Sequence, residues 1–247
     1  MNITGNTILI TGGGSGIGRA LAEALHAKGN TVIIAGRRES VLDEVTQANP
    51  GMASMLLDIQ DKADIAAFAG EAVTRFPALN VVIHNAGIMR PESHVDLAIA
   101  EETVATNLLG PIRLTAALLP HLKAQPRASI VTVSSGLAFV PLAATPSYSA
   151  TKAAIHSWSM ALRHQLKDTG VEVVEIAPPY VQTELLGPQQ ATDPEAMPLA
   201  DFTSEVMALL EAAPADGEII VERCKPLRFA AENGNFADVF AMVNSRH

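Results

Sequence analysis

The stretch PSYSATKAA carries one of only two tyrosines in a chain of 247 residues, and Lys152 follows Tyr148 by four positions. On a helix, that spacing puts a phenol and an ammonium on one face, one turn apart. A free phenol titrates at about pH 10, too high for ready proton exchange at neutrality. A nearby ammonium and a helix N-terminus both favour the phenolate and lower that value. Ser135 closes an apolar run upstream, and its hydroxyl could polarise a carbonyl oxygen that Tyr148 then protonates. Taken singly, these are an ordinary helix start and an ordinary strand-end serine. A second signal near the N-terminus changes the balance.

There, TGGGSGIG follows the apolar run TILIT and spaces Gly12, Gly16 and Gly18 as G-x-x-x-G-x-G. Such a loop offers a tight turn, a backbone that meets a pyrophosphate without a Cβ in the way, and a helix N-terminus facing the anion. The next apolar run ends AGRRES, without the acidic residue that holds the ribose 2′-hydroxyl in NAD-selective sites. Arg37 and Arg38 instead suit a 2′-phosphate, through charge-assisted hydrogen bonds and stacking on adenine. The expected cofactor is therefore NADP(H), with Arg37 the first contact, Arg38 the second, and NAD(H) the lesser alternative.

The elements that must position these residues are legible as a rhythm. Apolar runs at Thr7–Thr11, Thr31–Ala35, Met52–Leu57, Asn80–His84, Ala128–Ser135, Val171–Ala177 and Gly217–Val221 alternate with amphipathic stretches. Helices are expected to about Lys28, from Glu39 to Ala48, from Asp61 to Arg75, from Ile99 to Leu122, and from Tyr148 to near Asp168. Continuously apolar strands separated by helices predict a parallel sheet covered on both faces. The expectation is an α/β chain: one Rossmann-fold domain over residues 1–247, with a doubly wound seven-stranded parallel sheet. Ligands of such sheets bind at the carboxyl ends of the strands, near the reversal of strand order.

Composition narrows the partners. A formal net charge of −9 argues against nucleic acid or an anionic membrane surface as a partner. The single cysteine, Cys224, leaves no internal disulfide and no cysteine-based metal cluster, and no metal is expected. The opening MNITGNTILITGGG lacks the positive flank and long apolar core of a secretory signal, so a cytoplasmic location is expected.

Taken together, the motifs resemble the short-chain dehydrogenase/reductase (SDR) family over nearly the whole chain. TGGGSGIG looks like its cofactor loop, HNAG is close to its N-N-A-G, and the serine followed by YSATK resembles its Ser…Tyr-x-x-x-Lys signature. TNLLGP carries an asparagine where the family places the fourth member of its catalytic tetrad. The resemblance implies Tyr148 as general acid/base and Ser135 as the group orienting the carbonyl. Lys152 would lower the Tyr148 pKa and hold the nicotinamide ribose, and Asn107 would hold a water in the proton relay. It also implies cofactor contacts from Gly12, Ser15, Gly16, Ile17 and Gly18, from Asp58 and Ile59 at the adenine, and from Asn85, Ala86 and Gly87 along the cleft. Pro178, Val181 and Thr183 would meet the nicotinamide end. The family's usual Pro-Gly is Pro178-Pro179 here, which removes a backbone donor. That step and the ending EIIVERCKPLRFAAENGNFADVFAMVNSRH look like the DltE-like branch.

GLAFVPLAATP and the stretch after Thr183 are the expected pocket segments, with Leu137, Phe139, Tyr180, Leu185 and Leu186 lining it. Their apolar character favours a hydrophobic carbonyl compound or its alcohol. Residues 184–200 hold three prolines and no clear period, and they are expected to form a mobile lid. The reading is an NADP(H)-dependent oxidoreductase of CH–OH and C=O groups, a homodimer or homotetramer by family habit. A non-catalytic NADP(H)-sensing module is the alternative from another class, and an intact Asn107–Ser135–Tyr148–Lys152 set weighs against it.

Overall fold

Each apolar run becomes a strand of one parallel sheet, in the spatial order β3-β2-β1-β4-β5-β6-β7. In the computed structural model, which describes Met1–Ser245, the strands are β1 (Thr7–Thr11), β2 (Thr31–Gly36), β3 (Ala53–Leu56), β4 (Leu79–His84), β5 (Ala128–Val133), β6 (Val171–Ala177) and β7 (Glu218–Ile220). The helices are α1 (Gly16–Ala27), α2 (Glu39–Ala48), α3 (Lys62–Arg75), α4 (Leu97–Val104), α5 (Gly110–Ala124), α6 (Pro146–Leu166), α7 (Leu199–Ala212), α8 (Lys225–Arg228) and α9 (Phe236–Asn244). Alternation along β1 shows why both faces must be covered. Ile8 and Ile10 join one buried cluster with Ile34, Ile83 and Phe202, whereas Leu9 joins another with Ile33, Val82, Leu114 and Leu118. Side chains pointing to opposite faces are both fully buried, which is the signature of a sheet between two helical layers. The doubly wound Rossmann fold expected from the sequence is the fold observed. Among the described residues, no helix is long and apolar enough to cross a membrane.

Strand order reverses between β1 and β4, whose ends therefore flank the crevice where such folds bind ligands. Thr11 ties the two ends together. Its hydroxyl accepts from the backbone N–H groups of Asn85 and Ala86, each at 3.1 Å. The Asn85 side chain returns two bonds, to the carbonyls of Thr11 at 3.1 Å and Gly12 at 3.2 Å.

One expected helix, Ile99 to Leu122, is broken in two. A π-helical turn, Ala105–Leu109, separates α4 from α5. The physical reason is Gly110-Pro111. Pro111 has no N–H to return to the Asn107 carbonyl four residues back. Gly110 sits so close to Ile59 that a Cβ would lie 2.6 Å from its side chain and 2.7 Å from its carbonyl oxygen. Such single-turn widenings gather at functional positions, and this one contains Asn107.

Candidate active site

The glycine loop leaves β1 and turns into α1 with its backbone bare. Gly12 has φ +66°, and a Cβ on it would lie 2.9 Å from Ala86 Cα. Ser15 is extended at the N-terminus of α1, makes no side-chain cap, and no acidic residue occupies the first turn. The N–H groups of that turn, aligned with the helix dipole, face no competing anion and fit a pyrophosphate. Arg37 and Arg38 are exposed at the end of β2, and the Arg38 guanidinium donates to the Ser15 hydroxyl at 3.3 Å. Arg38 thus stands beside the loop, with Arg37 its exposed neighbour in sequence.

Across the crevice, Thr183 lies 3.5 Å from the position of a Gly16 Cβ, so the first loop and the segment after β6 face each other. Asp58 accepts from the Gln60 backbone N–H at 3.0 Å, while Asp61 caps α3. Asp58 is therefore not the helix cap, and Ile59 is buried against Gly110.

The four polar residues expected to carry chemistry are all buried. Ser135 stands in extended backbone at the end of β5, where its Oγ accepts from the Leu137 N–H at 3.1 Å. Tyr148 opens α6 behind Pro146 at the first turn, a residue that suits a helix start. Lys152 lies one turn further, with Nζ 5.4 Å from the centroid of the Tyr148 ring, and donates to the Val133 carbonyl at 2.8 Å. Asn107 accepts from Ile88 N–H at 2.8 Å, and its amide donates to Ile88 O at 2.9 Å and Thr151 Oγ1 at 3.2 Å. Thr151 Oγ1 donates in turn to the Tyr148 carbonyl at 2.7 Å, which links the π turn to the first turn of α6.

Electrostatics depart from the expected direction at one point. Burial pushes the Tyr148 phenol up to about 12, outweighing the opposing hydrogen bond with Ser135. Burial also pushes the Lys152 ammonium down to about 8, against the pull of the Glu175 carboxylate. Desolvation thus dominates both groups, and the first-turn position alone does not produce a phenolate. His84 is a core residue: burial pushes it down to about 3, and its Nε2 meets Thr115 Oγ1 at 2.8 Å.

The expected pocket residues are not all brought together. Tyr180 and Leu185 are exposed, and Leu137 and Leu186 are half-buried. Phe139, in contrast, packs edge-on against His156 with ring centroids 4.7 Å apart, and the Arg228 guanidinium lies 4.9 Å above it. Its ring is held by α6 and the C-terminal segment. Residues 184–198 run as a loop with one 3-10 turn, Pro188–Thr192, up to the start of α7 at Leu199. Val181 and Met197 bridge its two ends, and Gln190, buried in a 3-10 turn, ties its interior. The Gln190 amide donates to Val181 O at 2.7 Å and Thr183 Oγ1 at 3.1 Å, while its carbonyl accepts from Leu186 N–H at 2.8 Å. Nothing in the sequence reading singled out Gln190, because a glutamine in a proline-rich stretch reads as solvated loop. Gln190→Ala is expected to speed hydrogen exchange at the Leu186 amide by about tenfold, the loss of roughly 1 kcal/mol of local stability. Mass spectrometry of exchange-labelled peptides over 182–197 measures it.

Glu92 was also missed. Its carboxylate accepts from the Ser147 N–H at 3.0 Å and the Ser147 hydroxyl at 2.9 Å, fixing the start of α6 from the loop after β4.

Comparison with known proteins agrees with this geometry. A model of the short chain dehydrogenase family matches residues 6–194. The uncharacterized oxidoreductase DltE of Bacillus subtilis (strain 168) is 41% identical, covering 100% of this chain and 99% of the relative. The uncharacterized oxidoreductase SAR2567 of Staphylococcus aureus (strain MRSA252) is 30% identical over 84% of this chain and 92% of its own. Among solved structures, a short chain dehydrogenase from Burkholderia cenocepacia J2315 in complex with NADP superposes with a TM-score of 0.83 at 26% identity, covering 97% of this chain and 99% of that one. A short chain dehydrogenase/reductase from Burkholderia phymatum in complex with NAD gives a TM-score of 0.84 at 19% identity over 96% of both chains, a likeness of fold.

Proposed function

Because the chain belongs to the short-chain dehydrogenase family, oxidoreductases that act with NAD(P) on CH–OH and C=O groups, we propose that it interconverts an apolar ketone or aldehyde and its alcohol with NADP(H). The observation that carries the reading is the convergence of Ser135, Tyr148 and Lys152 from β5 and α6 on the sheet edge that also carries the bare glycine loop. The nicotinamide, when bound, supplies or accepts the hydride.

The chain's own residues manage the oxygen and the proton. The Ser135 hydroxyl orients the carbonyl oxygen toward Tyr148. The phenol, held neutral by burial, gives its proton to that oxygen in reduction. Lys152 places positive charge beside the phenol and stabilises the phenolate left behind. Asn107, gripped by Ile88 and Thr151, holds the π turn against the start of α6. The apolar residues that flank Ser135 in sequence, Leu137 and Phe139 in GLAFVPLAATP, support a hydrophobic substrate.

Arg37, with no hydrogen bond or ion pair among the described residues, supports NADP(H) over NAD(H) through its free guanidinium. Arg37→Ala is expected to weaken NADPH binding about tenfold, the value of one charge-assisted hydrogen bond, and to leave NADH binding unchanged. Cofactor oxidation followed across a panel of apolar ketones and aldehydes, with NADPH and NADH in parallel, tests the whole proposal. Equal turnover with both cofactors would overturn the NADP(H) assignment, and no turnover with tight NADPH binding would overturn the substrate class.

A further inference from the structure

Behind Lys152 lies a buried pair that the reaction as described does not use. Glu175 sits in the middle of β6, and its side chain has no solvent exposure. Both carboxylate oxygens meet Nδ1 of His156, at 2.9 and 3.1 Å. His156 follows Lys152 by four residues, as Lys152 follows Tyr148, so the three share one face of α6. The register places Thr132 of β5 beside Glu175, and Lys152 donates to the carbonyl of the next residue, Val133. The carboxylate and the ammonium therefore occupy one layer between the sheet and α6.

A fully buried carboxylate with one polar partner is costly, and packing alone would favour an apolar residue there. The surroundings keep it dry. The Phe139 ring covers His156, and Arg228 covers Phe139. Arg228 is itself tied to Glu218 at 2.7 Å and Glu232 at 2.7 Å. Cys224, buried in the turn before α8, is a neutral thiol, pushed up to about 12 by burial. The imidazole is the partial opening, with its side chain 18% exposed.

We infer that Glu175 and His156 are positioning residues for proton transfer: the carboxylate is the buried counter-charge in the layer of the Lys152 ammonium, and the imidazole anchors that carboxylate from the same face of α6. The charged and titratable groups around Lys152 are Tyr148 on its own helix and Glu175 on β6, with the Ser135 hydroxyl at the end of β5. Around the pair they are Arg228, Glu232 and Cys224. Glu175 is the anion among them that bears directly on Lys152, and it opposes the burial that would strip the ammonium of its proton. The inference rests on the reading of Tyr148 and Lys152 as the acid/base pair, but its test does not need turnover.

The experiment is a pH titration of the free protein labelled at lysine Cε with carbon-13, with the Lys152 resonance assigned by its absence in Lys152→Met. Glu175→Gln is expected to lower the Lys152 midpoint by roughly one pH unit, the effect of removing a nearby opposite charge. His156→Arg reaches the same end without emptying the buried carboxylate, since a permanent cation neutralises it, and the midpoint should again fall. His156→Gln leaves the carboxylate unbalanced and should not lower it. Unchanged midpoints in folded Glu175→Gln and His156→Arg would overturn the inference, as would an equal fall in His156→Gln, which would mean that packing is responsible. Should Glu175→Gln fail to fold, His156→Arg against His156→Gln still decides. Loss of turnover in Tyr148→Phe is scored separately, so the two readings fail independently.

Discussion

Tyr148→Phe is expected to reduce kcat for ketone reduction by about 10²–10⁴-fold, the span for loss of a positioned general acid, with NADPH affinity nearly unchanged. The substitution removes one oxygen from a buried ring and leaves the packing of α6 intact. The phenolic proton is what the reaction loses. The pH profile should identify the group as well. In the free protein the phenol is neutral up to about 12, and the ammonium keeps its proton up to about 8. Below about pH 8 both groups are protonated, the state reduction requires. As pH rises past 8, Lys152 loses its charge first, and kcat/KM for reduction should fall along that limb. Alcohol oxidation needs the phenolate beside a charged Lys152, so it should rise with pH toward about 8 and level off as the ammonium is lost. Stopped-flow and steady-state measurements read the first as NADPH consumption and the second as NADPH formation. Retention of kcat in the Phe variant would remove Tyr148 from the chemistry.

The same region shows what the sequence could and could not disclose. The parallel sheet was legible because each strand is apolar on both faces, a pattern that solvated strands do not produce. The glycine loop and the Tyr148–Lys152 spacing were legible because their constraints are local: a bare backbone turn, and one helical turn between two side chains. The π turn was not. Pro111 is local, but the contact of Gly110 with Ile59 that accompanies it joins positions about fifty residues apart, and only the fold brings them together. Glu175 left a trace that was passed over. In VEVVEIA, Glu172 and Glu175 are three apart and so point to opposite faces of a sheet covered on both sides. Glu172 reaches the surface near the end of the strand, but Glu175 lies deeper and must have a buried partner. The apolar stretch around Phe139 reads as pocket wall, yet periodicity carries no information about which of two apolar surroundings a loop side chain enters. The answer depends on His156 and Arg228, from distant parts of the chain.

Gly18→Ala should weaken cofactor binding by about 10–100-fold and lower stability by about 1–3 kcal/mol, the usual cost of overpacking a filled site. A Cβ at this position would lie 2.3 Å from the Asn85 amide nitrogen and 2.3 Å from the Gly12 carbonyl oxygen. The carbonyl belongs to the loop backbone and cannot swing aside. The Asn85 amide can, but only by breaking its bonds to the Thr11 and Gly12 carbonyls, which clamp the ends of β1 and β4 across the crevice. Either movement displaces the N–H groups expected to face the pyrophosphate, so stability and affinity must fall together. Gly70→Ala is the control. Gly70 lies inside α3 with nothing within 4 Å of the new Cβ, and the change should stabilise the protein by about 0.5–1 kcal/mol through helix propensity, with cofactor affinity untouched. Thermal melts with and without NADPH, paired with fluorescence titration of the cofactor, separate the two variants. If Gly18→Ala bound NADPH as the parent does, the loop would tolerate a side chain at its closest approach, and the bare-backbone account of the cofactor site would fail.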